Sequence, residues 1–298
     1  MTENIENIDK YLDSLKKELA GNDRATIQDA LADAEEHLRT ALDDVLGTRT
    51  DISEAEAMPT IIAEYGSPEE IAAAYREIEA RTRPTLAHPQ HWNDRPFVAR
   101  FFGVFADPRA WGALFYALFT LLTGIIYFTW AVTGLSMSLG LMILIIGVPF
   151  TVLFLLSVRG IALVEGRLVE ALLGVRMPRR PLFLDNNLGW WERLKDLIGK
   201  RTWLAIIYML LQLPLGILYF TVFVTLIALS LSFIAAPVLQ IVFDVPVIHI
   251  GDGPYYMPNW STPLMTLGGV VLLTATMHLA KFIGWAHGLL AKATLVSD

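Results

Sequence analysis

Apolar residues recur at helical spacing along the first part of the chain, with charged residues between them. Two such stripes, at residues 5–19 and 27–45, predict two amphipathic helices. Two shorter helices are predicted to begin after Ser53 and Ser67, because each serine is followed three residues later by a glutamate, the pattern of a capping box. Residues 1–84 are therefore predicted to form a soluble, all-α domain of four helices.

Two long stretches without acidic or basic residues follow, at residues 110–158 and 202–243. A helix needs about 20 apolar residues to cross the hydrocarbon core of a bilayer. The first stretch predicts two crossings joined by an outer turn at residues 134–138, and the second predicts one crossing. A last crossing is predicted at residues 264–287, after an outer loop at residues 235–263. The expected architecture is a four-span helical bundle.

The two pairs of spans carry the same sequence pattern, which indicates an internal duplication. Residue types match at an offset of 92, and the matched residues are Trp111, Tyr116, Gly124 and Tyr127 with Trp203, Tyr208, Gly216 and Tyr219. A second offset of 122 relates Arg159 to Lys281 and Gly166 to Gly288, which is the first offset plus a 30-residue insertion in the outer loop. We expect two parallel hairpin repeats packed through the eight matched residues, with the glycines allowing close approach.

Aromatic and basic residues alternate just before the first span and predict an interfacial amphipathic helix from Phe97. A similar helix is predicted from Trp190, before the third span. The second span is predicted to end at Arg159, and residues 163–173 predict a cytoplasmic amphipathic segment with Glu165 on its polar face. The predicted units are residues 1–84, a linker with its interfacial helix at 85–108, and repeats at 109–200 and 201–298.

The formal net charge of −7 is distributed unevenly along the chain. Residues 1–84 carry 20 acidic and 9 basic residues, and residues 85–298 carry 10 acidic and 14 basic residues. The acidic excess either keeps the first domain soluble or provides a docking surface for a basic partner. Residues 159–201 contain nine Lys and Arg and residues 235–263 contain none, and basic loops face the cytoplasm. We therefore expect a multi-pass protein of the cytoplasmic membrane with both termini in the cytoplasm.

The chain contains no cysteine, which excludes disulfides, thiolate metal ligands and a cysteine nucleophile. It also lacks the sequence patterns of a nucleotide-binding loop, a metalloprotease helix and a nucleophile elbow. The Gly-x-Gly at Gly251 and Gly253 lies beside Pro254 and is interpreted as a turn. We expect no enzymatic activity, no cofactor and no metal centre.

The outer loop and the last span contain the candidate ligand-binding residues. Residues 242–250 alternate and are rich in β-branched side chains, and a glycine-rich turn follows, so we expect a small β-like hairpin. The aromatic candidates, for an amphiphile or a lipid headgroup, are Tyr255, Tyr256 and Trp260. The cation-binding candidates are Asp244, His249 and Asp252. The alternative for the aromatic residues is a belt that anchors the loop to the outer leaflet. Inside the last span His278 is a candidate sensing residue, because ionisable groups in spans are rare.

The first domain resembles a known signalling family. The most specific resemblance is the run Glu64-Tyr65-Gly66-Ser67-Pro68-Glu69-Glu70-Ile71-Ala72, supported by Tyr11-Leu12 and Ala34-Glu35. These residues are similar to the HTH-associated alpha-helical signalling (HAAS) family. The resemblance implies a partnership with a PadR-type helix-turn-helix transcription regulator. No DNA-reading element is visible in the sequence, so we expect no direct contact of this chain with nucleic acid.

The membrane region resembles the sensor domain that precedes bacterial and archaeal signalling modules. The resemblance rests on the paired Trp-x4-Tyr-x7-Gly motifs and on the segment from Glu165 to Gly174. We expect no phosphotransfer, because no kinase core follows the segment in this sequence.

These features favour an integral membrane sensor that relays an envelope or lipid-type signal to a cytoplasmic regulator. The rival hypothesis is a non-catalytic structural or accessory subunit of a membrane transport complex. The expected partners are the lipid bilayer, a cytoplasmic helix-turn-helix regulator and, as an open alternative, a second copy of the chain.

Overall fold

The computed structural model describes residues 5–48, 52–81, 86, 96–144, 146–178, 195, 197–246, 248–250 and 253–296. The first domain consists of four helices, α1 (Ile8–Glu18), α2 (Arg24–Thr48), α3 (Glu54–Tyr65) and α4 (Pro68–Arg81). The chain enters the membrane region through α5 (Phe97–Phe102) and a 3₁₀ helix (Gly103–Ala106). The membrane region contains α6 (Pro108–Leu141), α7 (Gly147–Leu173), α8 (Lys200–Phe243), strands β1 (Ile248–Ile250) and β2 (Gly253–Tyr255), and α9 (Thr262–Leu295).

Both predicted capping boxes of the first domain are confirmed. The backbone N–H of Ser53 donates to Glu56 at 2.9 Å, and that of Ser67 donates to Glu70 at 2.9 Å. The backbone and hydroxyl hydrogen bonds from Ser53 hold the pKa of Glu56 below its usual value. Gly66, between α3 and α4, adopts a φ of +117°, which L side chains rarely adopt.

The core of the first domain lies between its four helices. Tyr11, Leu15, Leu38 and Met58 are fully buried there. The Tyr11 hydroxyl donates to the Gly66 carbonyl oxygen at 2.9 Å, which ties α1 to the turn before α4. Burial raises the pKa of Tyr11, and its phenol is therefore a donor at physiological pH.

Four helices of the described chain, α6, α7, α8 and α9, are long and apolar enough to cross a membrane. This confirms the all-α fold class, with a helical N-terminal domain followed by four candidate spans. The predicted outer β-like hairpin is also present, because β1 pairs antiparallel with β2 and aligns Ile248 with Tyr255.

The predicted outer turn at residues 134–138 is wrong. Helix α6 continues through these residues to Leu141, and α7 begins at Gly147. A Cβ atom on Gly134 would lie 2.0 Å from the Phe154 ring, so the absence of a side chain serves packing of α6 against α7 rather than a turn.

Helices α7 and α8 also extend beyond their predicted ends. Helix α7 does not stop at Arg159 but includes the segment at residues 163–173, and Gly174 terminates it with a φ of +68°. Helix α8 runs through Pro237 to Phe243, so the connection to α9 is shorter than the outer loop predicted at residues 235–263. These helices continue because an apolar environment penalises backbone N–H and C=O groups that lack a hydrogen-bond partner, and a helix satisfies them internally.

The central crossing of the bundle relates the two repeats. A Cβ atom on Gly124 would lie 2.7 Å from the carbonyl oxygen of Gln212, and one on Gly216 would lie 2.6 Å from that of Thr120. Gln212 is the repeat equivalent of Thr120, at the offset of 92, so the two contacts are related by symmetry. Tyr116 and Tyr208, which precede this crossing on α6 and on α8, also meet through their hydroxyl oxygens at 3.3 Å. The contacts therefore advance along both helices together, and α6 and α8 run in the same direction. The hairpins are therefore parallel repeats.

Candidate functional site

Seven polar side chains from all four long helices meet inside the bundle. We call this cluster the polar hub, and its members are Tyr116, Tyr127, Glu165, Tyr208, Gln212, Tyr219 and His287. Glu165 and His287 are each 1% exposed. Buried polar groups are costly unless they are hydrogen-bonded, so the hub is the most conspicuous departure from apolar packing among the described residues of the spans.

The carboxyl group of Glu165 accepts four hydrogen bonds. Its Oε1 atom accepts from the hydroxyls of Tyr116 at 2.5 Å and Tyr208 at 2.9 Å, and from the Gln212 amide at 3.1 Å. Its Oε2 atom accepts from the Tyr127 hydroxyl at 3.0 Å. Four donors from two helices match the acceptor capacity of a carboxylate anion.

The imidazole of His287 contacts the same two central tyrosines. Its Nε2 atom lies 2.7 Å from the Tyr116 hydroxyl oxygen and 2.9 Å from that of Tyr208. Because both hydroxyls donate to Glu165, they accept from Nε2–H, which assigns the proton of a neutral ring to Nε2. The Nδ1 atom faces the Tyr219 hydroxyl at 3.4 Å.

The hub follows the symmetry of the repeat. Tyr116 and Tyr208 are equivalent at the offset of 92, and their hydroxyl oxygens lie 3.3 Å apart. Tyr127 and Tyr219 are equivalent in the same way, one beside the acid and one beside the imidazole. Glu165 and His287 are equivalent at the offset of 122. The duplication thus places an acid in the first repeat and a base at the equivalent position of the second.

Sequence reasoning missed the centre of this cluster. The amphipathic pattern predicts Glu165 on a solvated polar face, but the residue is buried because α7 continues past Arg159 and directs its side chain toward α6 and α8. His287 was predicted only as the end of a span. The sequence does contain a signal for this pair, because the offset of 122 that relates Gly166 to Gly288 also relates Glu165 to His287.

The repeated residues predicted to pack the hairpins occupy two kinds of environment. The tyrosines belong to the hub, and Gly124 and Gly216 lie at the crossing of α6 and α8. Trp111 and Trp203 do not pack the repeats together, because they are 52% and 49% exposed near the starts of their helices. Exposed tryptophans at the ends of apolar helices are typical of an interfacial belt.

His278 lies outside the hub. Its Nε2 atom is 3.0 Å from the carbonyl oxygen of Phe101, and its ring stacks on the Phe101 ring. One turn later, Lys281 forms an ion pair with Asp107 at 2.7 Å. These contacts fasten the segment before α6 to α9, and a sensing role for His278 stays a prediction.

The outer candidates are spread along the segment between α8 and α9. Tyr255, Tyr256 and Trp260 are exposed, and the Tyr256 hydroxyl donates to the carbonyl oxygen of Asp244. Asp244 ends α8 with a left-handed backbone. His249 lies in β1, and Asp252 falls outside the described residues. Within the described ranges no group of three His, Asp or Glu side chains could hold a metal ion, and a role in amphiphile binding stays a prediction.

The interfacial helix predicted from Trp190 lies outside the described residues. Its counterpart from Phe97 is short, since α5 ends at Phe102 and the 3₁₀ helix continues the chain to Ala106.

Comparison with known families agrees with this architecture. Residues 10–74 match the HAAS family, and residues 116–295 match the family described as "Putative sensor". The second match covers 180 of the 298 residues. The chain belongs to this sensor family. No curated protein and no solved structure matches the sequence. A HAAS domain followed by a sensor domain with four apolar helices fits a multi-pass membrane protein with a role in signalling.

The whole polar hub lies inside the sensor domain, which begins at Tyr116 itself. The sensor domain contacts the HAAS domain through an ion pair, in which Lys292 Nζ lies 2.5 Å from Asp23 Oδ2. The other carboxylate oxygen of Asp23 accepts from the backbone N–H of Ala25 at 2.9 Å, at the start of α2. The last span and the second helix of the HAAS domain therefore share one carboxylate.

Proposed function

We propose that this protein senses an envelope or lipid-type signal in the cytoplasmic membrane and relays it to a cytoplasmic transcription regulator of the PadR type. The observation that carries the proposal is the ion pair between Lys292 of α9 and Asp23 at the start of α2. It connects a membrane helix directly to the domain whose family is associated with such regulators.

The position of the ion pair suits a relay. Both side chains are about one-quarter exposed, so the pair is partly shielded from solvent. Asp23 also caps α2, and a displacement of Lys292 therefore changes the electrostatic environment of a helix start as well as a contact between domains. The acidic HAAS surface favours a partner with a basic docking face.

The identity of the partner is tested by purifying the intact protein from native membranes with its bound proteins. We expect a helix-turn-helix regulator in the purified complex. A complex that contains a transport ATPase and no regulator would instead support an accessory subunit of a transport system.

The relay itself is tested by exchanging the charges of the ion pair. With promoter activity of the copurified regulator as readout, Asp23→Lys and Lys292→Asp should each change the output, and the double exchange should restore it. Lys10→Asp, which breaks an exposed ion pair with Glu6 in the same domain, is the matched control. Identical output from the single variants and from this control would contradict the relay.

A further inference from the structure

The acid and the base of the hub differ in how completely their polar atoms are hydrogen-bonded. Glu165 has four donors on its two oxygens, as described above. His287 uses Nε2 for the two central tyrosines, and its Nδ1 atom faces the Tyr219 hydroxyl at the longer distance of 3.4 Å. A hydroxyl both donates and accepts, so this contact is compatible with Nδ1 in either protonation state.

The charge of the hub depends on that one atom. With a carboxylate and a neutral imidazole the cluster carries −1, and one more proton makes it neutral. The titratable groups around His287 on the packed elements are Tyr116 of α6, Glu165 of α7, and Tyr208 and Tyr219 of α8. Arg176 is buried in the segment after α7, which packs against α9 where Val175 meets Gly288. On α9 itself Lys281 and Lys292 are paired with Asp107 and Asp23.

We infer that the hub is a proton-binding site in which Nδ1 of His287 takes up one proton from water. The Tyr219 hydroxyl then changes from donor to acceptor, and the hydrogen bonds of Glu165 stay in place. The negative charge of Glu165 is balanced by an imidazolium at the repeat-equivalent position, and both groups contact the same pair of tyrosine hydroxyls.

Proton uptake would act between the two hairpins, because Glu165 belongs to the first and His287 to the second. The new attraction draws α7 and α9 toward the central tyrosines. Lys292 follows His287 by five residues, which is about 7.5 Å along a helix. A shift of α9 at the hub therefore reaches the ion pair with Asp23. This connection to signalling rests on the proposed function, whereas proton binding itself does not.

The direct test uses the full chain in lipid bilayers with its six histidines labelled with ¹⁵N and its glutamates with ¹³C at the carboxyl carbon. Solid-state NMR is recorded from about pH 3 to 8, which includes the ordinary titration range of histidine and extends well below it. We expect Nδ1 of His287 to change from unprotonated to protonated while the Glu165 carboxyl signal stays that of a carboxylate. The signal is assigned by its loss in His287→Gln, with His278→Gln on the same helix as the matched control.

No titration of His287 in this range, or protonation of Glu165 in its place, would overturn the proposal. If His287 titrates but the promoter activity of the regulator does not change with pH, the proposed function is contradicted and the proton-binding site is not.

A second pair of variants keeps the test decisive if His287→Gln does not fold. Tyr219→Phe removes the hydroxyl that faces Nδ1, and Tyr127→Phe removes its repeat equivalent beside Glu165. Hydrogen bonds to charged groups are stronger than neutral ones, so Tyr219→Phe should reduce the proton affinity about fivefold and move the midpoint to lower pH. Tyr127→Phe removes a donor from the carboxylate and should move it the other way. A midpoint that Tyr219→Phe does not change would exclude Nδ1 as the site.

Discussion

At the scale of single residues, the environment of Glu165 shows why this carboxylate is compatible with an apolar bundle. Three tyrosine hydroxyls and one amide donate to it, so its desolvation is offset by four hydrogen bonds. Each donor in turn depends on the carboxylate, because removing the acceptor leaves buried hydroxyls unsatisfied. The hub therefore behaves as a unit whose members stabilise one another.

Glu165→Leu is expected to lower the free energy of unfolding by about 3 kcal/mol or more, since it leaves several buried donors without an acceptor. The control is Glu170→Leu on the same helix, because Glu170 pairs with Arg167, whose side chain is 45% exposed. Unfolding of the purified protein in detergent, followed by loss of helical circular dichroism, measures both. Equal losses in the two variants would show that the hub contributes no more than a peripheral ion pair.

Gly66 is a second residue whose identity is set by local geometry. Its φ of +117° is disfavoured for every L side chain, and an added Cβ would lie 3.3 Å from the side chain of Ile71. Gly66→Val should cost about 1 kcal/mol or more. Gly47→Val near the end of α2 is the control, because no atom lies within 4 Å of its added Cβ. Urea unfolding of the full chain, monitored at the HAAS domain, should separate the two variants.

At the scale of elements, the sequence predicted the number and kind of helices better than their ends. Capping boxes and apolar stripes are local signals, and they located the first four helices. Gly134 and Pro237 have the composition of turns but lie inside helices, because packing and an apolar environment override local propensity. The hub was missed for a related reason, since the buried position of Glu165 depends on where α7 ends and on which helices surround it.

The crossing of α6 and α8 gives a prediction about these elements. Gly124→Ala and Gly216→Ala place a methyl group within 2.7 Å of the facing backbone, which cannot yield as a side chain could, so each should destabilise the bundle by about 1–3 kcal/mol. Gly140→Ala in α6 and Gly268→Ala in α9 are the matched controls, because no atom lies within 4 Å of a Cβ added at either position. Thermal unfolding in detergent measures all four. Symmetric losses at Gly124 and Gly216, absent from the controls, are the expected result.

At the scale of the whole molecule, the chain combines a charged helical domain with a domain of four apolar helices. The N-terminal helical domain has its own core and its own caps, and residues 1–84 carry 20 of the 30 acidic residues. We expect residues 1–84 alone to form a soluble helical domain. Far-ultraviolet circular dichroism of that fragment in buffer tests this, and a spectrum of an unfolded chain would show that the domain needs the sensor domain to fold.

Orientation in the membrane is the last prediction, and it follows from charge. The segment after α7 is rich in Lys and Arg, whereas the segment between α8 and α9 contains neither, which favours a cytoplasmic location for the first and an outer location for the second. The native chain has no cysteine, so a single introduced cysteine is the one thiol of the protein that the reagent can label. In whole cells an impermeant thiol reagent should label Asn259→Cys in the exposed outer segment and should label Thr40→Cys in the HAAS domain only after lysis. The reverse pattern would place the HAAS domain outside the cell, where it could not contact a transcription regulator.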